Sequence, residues 1–61
     1  MNKKVKKAMT LADELGDLFN NLVKETTDMD LKRLFKQLEA DMMDIRHKIV
    51  LAAKIADDSQ S

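Results

Sequence analysis

Cysteine, proline, tryptophan and tyrosine are all missing from this 61-residue chain, and glycine occurs once. Without cysteine there is no disulfide framework and no thiolate metal site, and redox compartment goes unmarked. Phe19 and Phe35 are the whole aromatic complement, too little for a platform that stacks single-stranded bases. An excess of one charge is missing too. Eleven basic and eleven acidic side chains leave a formal net charge of zero, whereas a general nucleic-acid binder carries a clear basic excess. No run approaches the roughly 18 apolar residues needed to cross a bilayer. The basic start, Met1-Asn2-Lys3-Lys4-Val5-Lys6-Lys7, has the character of a signal-peptide head. Asp13 and Glu14 arrive before any apolar region forms, which argues against export and for the cytoplasm as the default compartment.

What the chain has in quantity is Ala, Leu, Met, Lys and Glu, all good helix formers. The expected fold class is all-α, with one small domain over residues 1–61. In the second half, Leu31, Phe35, Leu38, Met42, Ile45, Ile49, Ala52 and Ala56 recur at alternating steps of four and three. That is a helical seam of heptad period, about 39 Å long. In the first half the apolar set is Val5, Ala8, Met9, Ala12, Leu15, Phe19, Leu22 and Val23, with Leu11 and Leu18 widening one edge. A stripe covering about half the circumference suits a helix with two neighbours, as in a four-helix bundle. Gly16 falls inside this helix and costs about 1 kcal/mol relative to alanine. It reads either as a kink or as a place where a neighbouring helix comes close.

A turn is expected between the two sets. Stepping Val5, Ala12 and Phe19 onward by sevens leads to 26, 33 and 40, whereas the second seam occupies 31, 38, 45 and 52. One continuous rod would have kept register. Thr27 is the expected N-cap of the second helix, with Asp30 at the third helical position as a weak capping box. The reading is an antiparallel hairpin with helix 1 over about 3–25, helix 2 over about 28–57 and a frayed tail at 58–61. Folding this way brings Lys3, Lys4, Lys6 and Lys7 alongside Asp57 and Asp58, each group being the wrong sign for its own helix dipole. A lone hairpin leaves half of each broad face in water. The expected assembly is therefore a homodimer forming an antiparallel four-helix bundle. Its core would hold Val5, Ala12, Leu15, Phe19, Leu22, Leu31, Phe35, Leu38, Met42, Ile45, Ile49 and Ala52.

Candidate sites are few. His47 is the only histidine. Asp44-x-x-His47 with Glu14, doubled in a symmetric dimer, would follow the plan of a di-iron carboxylate bundle. Facing argues against it, because Met42 and Ile45 take the inward positions, and no metal or other cofactor is expected. A phosphorelay role fares no better, since Arg46 and Lys48 flank His47. The series Lys32, Arg33, Lys36, Glu39, Asp41 and Asp44 reads as a solvated face with pairs three and four apart. The N-terminal lysines could touch RNA, anionic lipid or an acidic protein, but no extended amphipathic face is reserved for that. No glycine loop, nucleophile–base pair or zinc spacing is present, which argues against an enzyme. Ala40, Met43, His47 and Val50 line the back of helix 2. Met43, His47 and Val50 form the candidate surface for another protein, methionine being adaptable at contacts. The functional expectation is a non-enzymatic protein that works by self-association and protein binding. The alternatives are a ferritin-like di-metal protein and a nucleic-acid-binding helical dimer.

Val5-Lys6, Thr26-x-Asp28-x-x-x-Lys32 and Leu34-Phe35 together resemble a family of very short, uncharacterised helical-hairpin proteins of spore-forming Firmicutes. Members are often encoded beside spore-membrane germination genes. The resemblance runs ungapped from about Val5 to Leu38, some 34 of 61 residues. It implies a helical hairpin and a setting in sporulation, and no chemistry is assigned to the family. The chain departs from it at the end, where Ala56-Asp57-Asp58-Ser59-Gln60-Ser61 replaces an acidic run with Pro and Tyr. Thr26-x-Asp28 ahead of Leu31-x-x-Leu34-Phe35 is also similar to the helix pair of ferritin-like and rubrerythrin-like proteins. That likeness implies a bundle, and the missing inward ligands imply an iron role lost or never held.

Overall fold

Two helices, α1 over Lys3–Glu25 and α2 over Met29–Gln60, are joined by residues 26–28 and packed along each other. This computed structural model describes residues 3–60, with side chains up to Asp58. The result is an all-α helical hairpin whose Cα atoms span 50 × 15 × 10 Å.

The turn is set by Asp28. Its Oδ1 accepts a hydrogen bond from the Leu31 N–H at 3.0 Å, and its carbonyl accepts from the Lys32 N–H at 2.9 Å. Asp28 is therefore the N-cap, one residue beyond the expected Thr27, and α2 begins at Met29 rather than 28. A carboxylate suits the place because it satisfies an orphan N–H and meets the positive helix end with negative charge. Asp30 then falls at the second helical position and Leu31 at the third, so the expected capping box does not form. On the other side, the Thr26 N–H donates to the Leu22 carbonyl at 3.0 Å, which carries the ladder of α1 into the turn. At its far end α2 continues past 57 to Gln60, so 58–60 are helical where a tail was expected. The last residue of that tail, Ser61, lies outside the described residues, as do Met1 and Asn2 of the basic start.

Along the seam between the helices, Val5, Met9, Ala12, Gly16, Phe19 and Val23 of α1 meet Phe35, Met42, Ile49, Ala53 and Ala56 of α2, and all are at least half-buried. Near the turn the rings of Phe19 and Phe35 stack, 6.4 Å between centroids and 29° between planes. A Cβ built on Gly16 would lie 3.9 Å from the Met42 Cβ, an ordinary contact. The helices are thus not so close that only glycine fits, and α1 runs through Gly16 without a break.

The seam expected on α2 is divided. Phe35, Met42, Ile49 and Ala56 face α1, but Leu31, Leu38, Ile45 and Ala52 are exposed. Their places toward α1 are taken by Lys32, Glu39 and Ala53. The reason is steric and angular. A pair of helices in contact shares one narrow line, and α2 is rotated so that the small Ala53 and the stems of Lys32 and Glu39 fill it. Among the described residues only Ala12, Val23 and Ala53 are buried, and no large side chain reaches full burial. No described helix is long and apolar enough to cross a membrane.

Candidate interaction faces

Each helix turns about 100° per residue, so the residues just before and just after each seam position form two further stripes, one on either side. Running antiparallel reverses the sense in which a right-handed helix is viewed. The preceding residues of both helices therefore lie on one face of the hairpin, and the following residues of both on the other. The groove described below, lined from α1 by Asp13, Asp17 and Asn20 and from α2 by Met43, bears this out for the second face.

The face of preceding residues is apolar. From α1 it carries Ala8, Leu11, Leu15, Leu18 and Leu22; from α2 it carries Leu31, Leu34, Leu38, Ile45, Ala52 and Ile55, with Asp41 and Lys48 on its outer line. Of the eleven large apolar side chains left exposed among the described residues, eight belong to this face. Scattered exposed leucines are ordinary, but a contiguous set on one side is not. The twelve residues expected to form an oligomer core divide evenly. Val5, Ala12, Phe19, Phe35, Met42 and Ile49 lie in the hairpin seam, while Leu15, Leu22, Leu31, Leu38, Ile45 and Ala52 lie on this face.

The opposite face is polar and closed by pairs across the hairpin. Asn20 Nδ2 donates to Glu39 Oε2 at 2.6 Å, and Arg46 Nε donates to Asp13 Oδ1. Between them lies an open groove of about 240 Å³ along Gly16 and Met42. With Asp13 and Glu39 already engaged, its polar groups serve to hold the helices together. Met43, His47 and Val50 lie along α2 on this same side. Met43 is 71% exposed, His47 is exposed and Val50 is half-buried.

Glu14, Asp44 and His47 are not brought together. Glu14 is two residues from both Ala12 and Gly16, hence on the side of α1 away from α2, and Asp44 stands likewise to Met42 and Arg46. Asp44 pairs instead with Lys48 at 3.3 Å. Within one chain, no group of three His, Asp or Glu side chains among the described residues could hold a metal ion. The basic residues separate as well. Lys3, Lys4, Lys6 and Lys7 sit at the open end, where Lys4, Asp57 and Asp58 each have an interaction partner. Lys32, Arg33 and Lys36 gather beside Met29 near the turn. About 30 Å of helix divides the two groups.

No protein family, no curated protein and no solved structure matches the chain. Function therefore has to be read from the two faces themselves.

The expectation of one broad stripe on α1 and one seam on α2 did not separate two apolar stripes on each helix, one toward the other helix and one on the outer face. The signal was the doubling of apolar neighbours at Leu11-Ala12, Leu18-Phe19 and Leu22-Val23. In each pair the second residue serves the hairpin and the first serves the outer face.

Proposed function

We propose that this chain is a non-enzymatic, self-associating module: two hairpins close their apolar faces on each other as a four-helix bundle, and the bundle acts by binding another protein. One observation carries the reading, the set of exposed leucines and isoleucines gathered on a single face. Its size fits. A compact protein of 7.0 kDa exposes about 4,000 Å², whereas this hairpin exposes 4965 Å². The surplus is close to the roughly 800 Å² that each partner contributes to a standard interface.

Chemistry points the same way. The polar face holds carboxylates that are paired across the hairpin, and the single histidine stands exposed and apart from Glu14. In a face-to-face dimer, Met43, His47 and Val50 remain outward, which makes them the surface on offer to a different protein. The sporulation setting suggested by the resemblance is part of the proposal and supplies no partner of its own.

Sedimentation equilibrium tests the self-association directly. A mass near twice 7.0 kDa at micromolar concentration is expected, with helicity falling on dilution. A monomer of undiminished helicity would remove the reading.

A further inference from the structure

We propose that the occupant of the apolar face is a second copy of this chain in one particular orientation, with the two turns at opposite ends of the bundle. The proposal rests on the self-association argued above and adds which residues meet. The hairpin's register comes from its two polar pairs. Asp13 is level with Arg46, and Asn20, seven residues on, is level with Glu39, seven residues back. By the same stepping, Lys4 is level with Ile55, Leu11 with Lys48, Leu18 with Asp41 and Glu25 with Leu34.

These eight residues form the outer lines of the face, one heptad apart on each helix. Two-fold packing of the faces can be done in two ways. With both turns at the same end, α1 lies across from the partner's α2 at equal level. Leu11 would then meet the partner's Lys48 and Leu18 the partner's Asp41, while Lys4 would meet Ile55 and Glu25 would meet Leu34. Every contact along the line would set a charge against an apolar side chain, which gains neither apolar burial nor a new charge pair, even though Lys48 keeps Asp44 and Lys4 keeps its own partner.

With the turns at opposite ends, each helix crosses its own copy and the two-fold axis stands perpendicular to the helices. Placed midway between Leu11 and Leu18, the axis also falls midway between Asp41 and Lys48, because those residues are level in pairs. Leu11 then meets the partner's Leu18, Asp41 meets the partner's Lys48, Leu34 meets the partner's Ile55 and Lys4 meets the partner's Glu25. Like meets like, and acid meets base. A single placement satisfies both helices at once, and Leu15 and Ile45 come to the axis. Within one chain Asp41 and Lys48 are two turns apart, too far to pair with each other. Lys48 already lies 3.3 Å from Asp44 of its own chain, so across the interface it would stand between Asp44 and the partner's Asp41, which meets a Lys48 only there.

The chain has no cysteine, so Thr27→Cys in the exposed turn gives one labelling site per copy. A nitroxide pair there should report a separation of about 40 Å, roughly twice the rise from the axis to the turn. Asp41→Lys should raise the dimer Kd about five- to tenfold through repulsion from the partner's Lys48, and Asp41→Lys/Lys48→Asp should restore it to within about twofold. A dimer whose labels lie within about 20 Å, the width of a bundle, would overturn the orientation and leave self-association standing. Loss of affinity without rescue in the double variant would overturn it as well. A monomer at every concentration, with no dipolar signal, would remove the self-association reading and this one with it.

Discussion

The two sides of the hairpin are built from the same helices and differ in almost everything else. One side is closed within the chain: Asn20 reaches Glu39, Arg46 reaches Asp13, and polar groups are satisfied across the groove. The other side carries Leu, Ile and Ala along both helices, broken on its outer line by Asp41 and Lys48, and eight of its large apolar side chains are exposed. The difference shows where each kind of interaction is useful. Polar pairs fix the register of two helices at little risk, because they stay good in water when the rest of the assembly is absent. Apolar area stabilises only when water is removed from it. With Ala12, Val23 and Ala53 the buried apolar residues among those described, much of the hairpin's apolar area stays in water.

The sharpest way to break the comparison is to exchange the character of the two sides. Leu15→Asp places a carboxylate at the centre of the apolar face, twice per dimer. It should weaken self-association at least about 100-fold, since a buried unpaired charge is among the costliest single changes. Met43→Asp, an equal change on the polar side, should leave the dimer Kd within about twofold. Sedimentation equilibrium on both variants decides the matter. Equal losses would mean that the two sides are not distinct.

Much of the fold was legible because heptad spacing is a property of the chain itself. The jump in phase between Phe19 and Leu31 located the turn to within a residue or two, and the wide stripe on α1 is there, part of it in the seam and part of it exposed. What could not be read was rotation. Phe35 and Leu38 have equal claims to the inward line when only apolar character is counted. The choice between them is made by the fit of Ala53 and the stems of Lys32 and Glu39 against α1, which is a matter of shape. The cap was misplaced for a similar reason. Thr27 and Asp28 are both good N-caps, and the geometry of a short turn chose the carboxylate.

That choice gives the next largest effect. Asp28→Ala should cost about 1 kcal/mol of stability, as loss of an N-cap does, and Thr27→Ala should cost a few tenths at most. Thermal melts of the two variants at fixed concentration separate them. Gly16→Ala should move the other way and stabilise by about 0.5–1 kcal/mol. The added methyl meets the Met42 Cβ at an ordinary distance, so it gains helix propensity without a clash. It lies in the seam and not on the apolar face, and the dimer arrangement should be unaltered.

The smallest effect belongs to the ion pair on the closed side. Asp13 and Arg46 are each about half exposed, with 48% and 52% of their side-chain surface still in water. Solvent screens such a pair, and measured values for exposed pairs fall at about 1 kcal/mol or less. Asp13→Asn keeps the shape and a hydrogen-bonding group while removing the charge. It should cost about 0.5 kcal/mol at low salt and close to nothing at high salt, because the attraction is screened within a Debye length. Helicity followed against urea at two ionic strengths would show it. The informative part is what stays constant. If the closed side only fixes register, the dimer Kd of Asp13→Asn should match that of the parent at both salts, while Asp41→Lys on the open side should regain affinity as salt rises. A salt response on the closed side as large as that on the open side would mean that Asp13 and Arg46 belong to the interface after all.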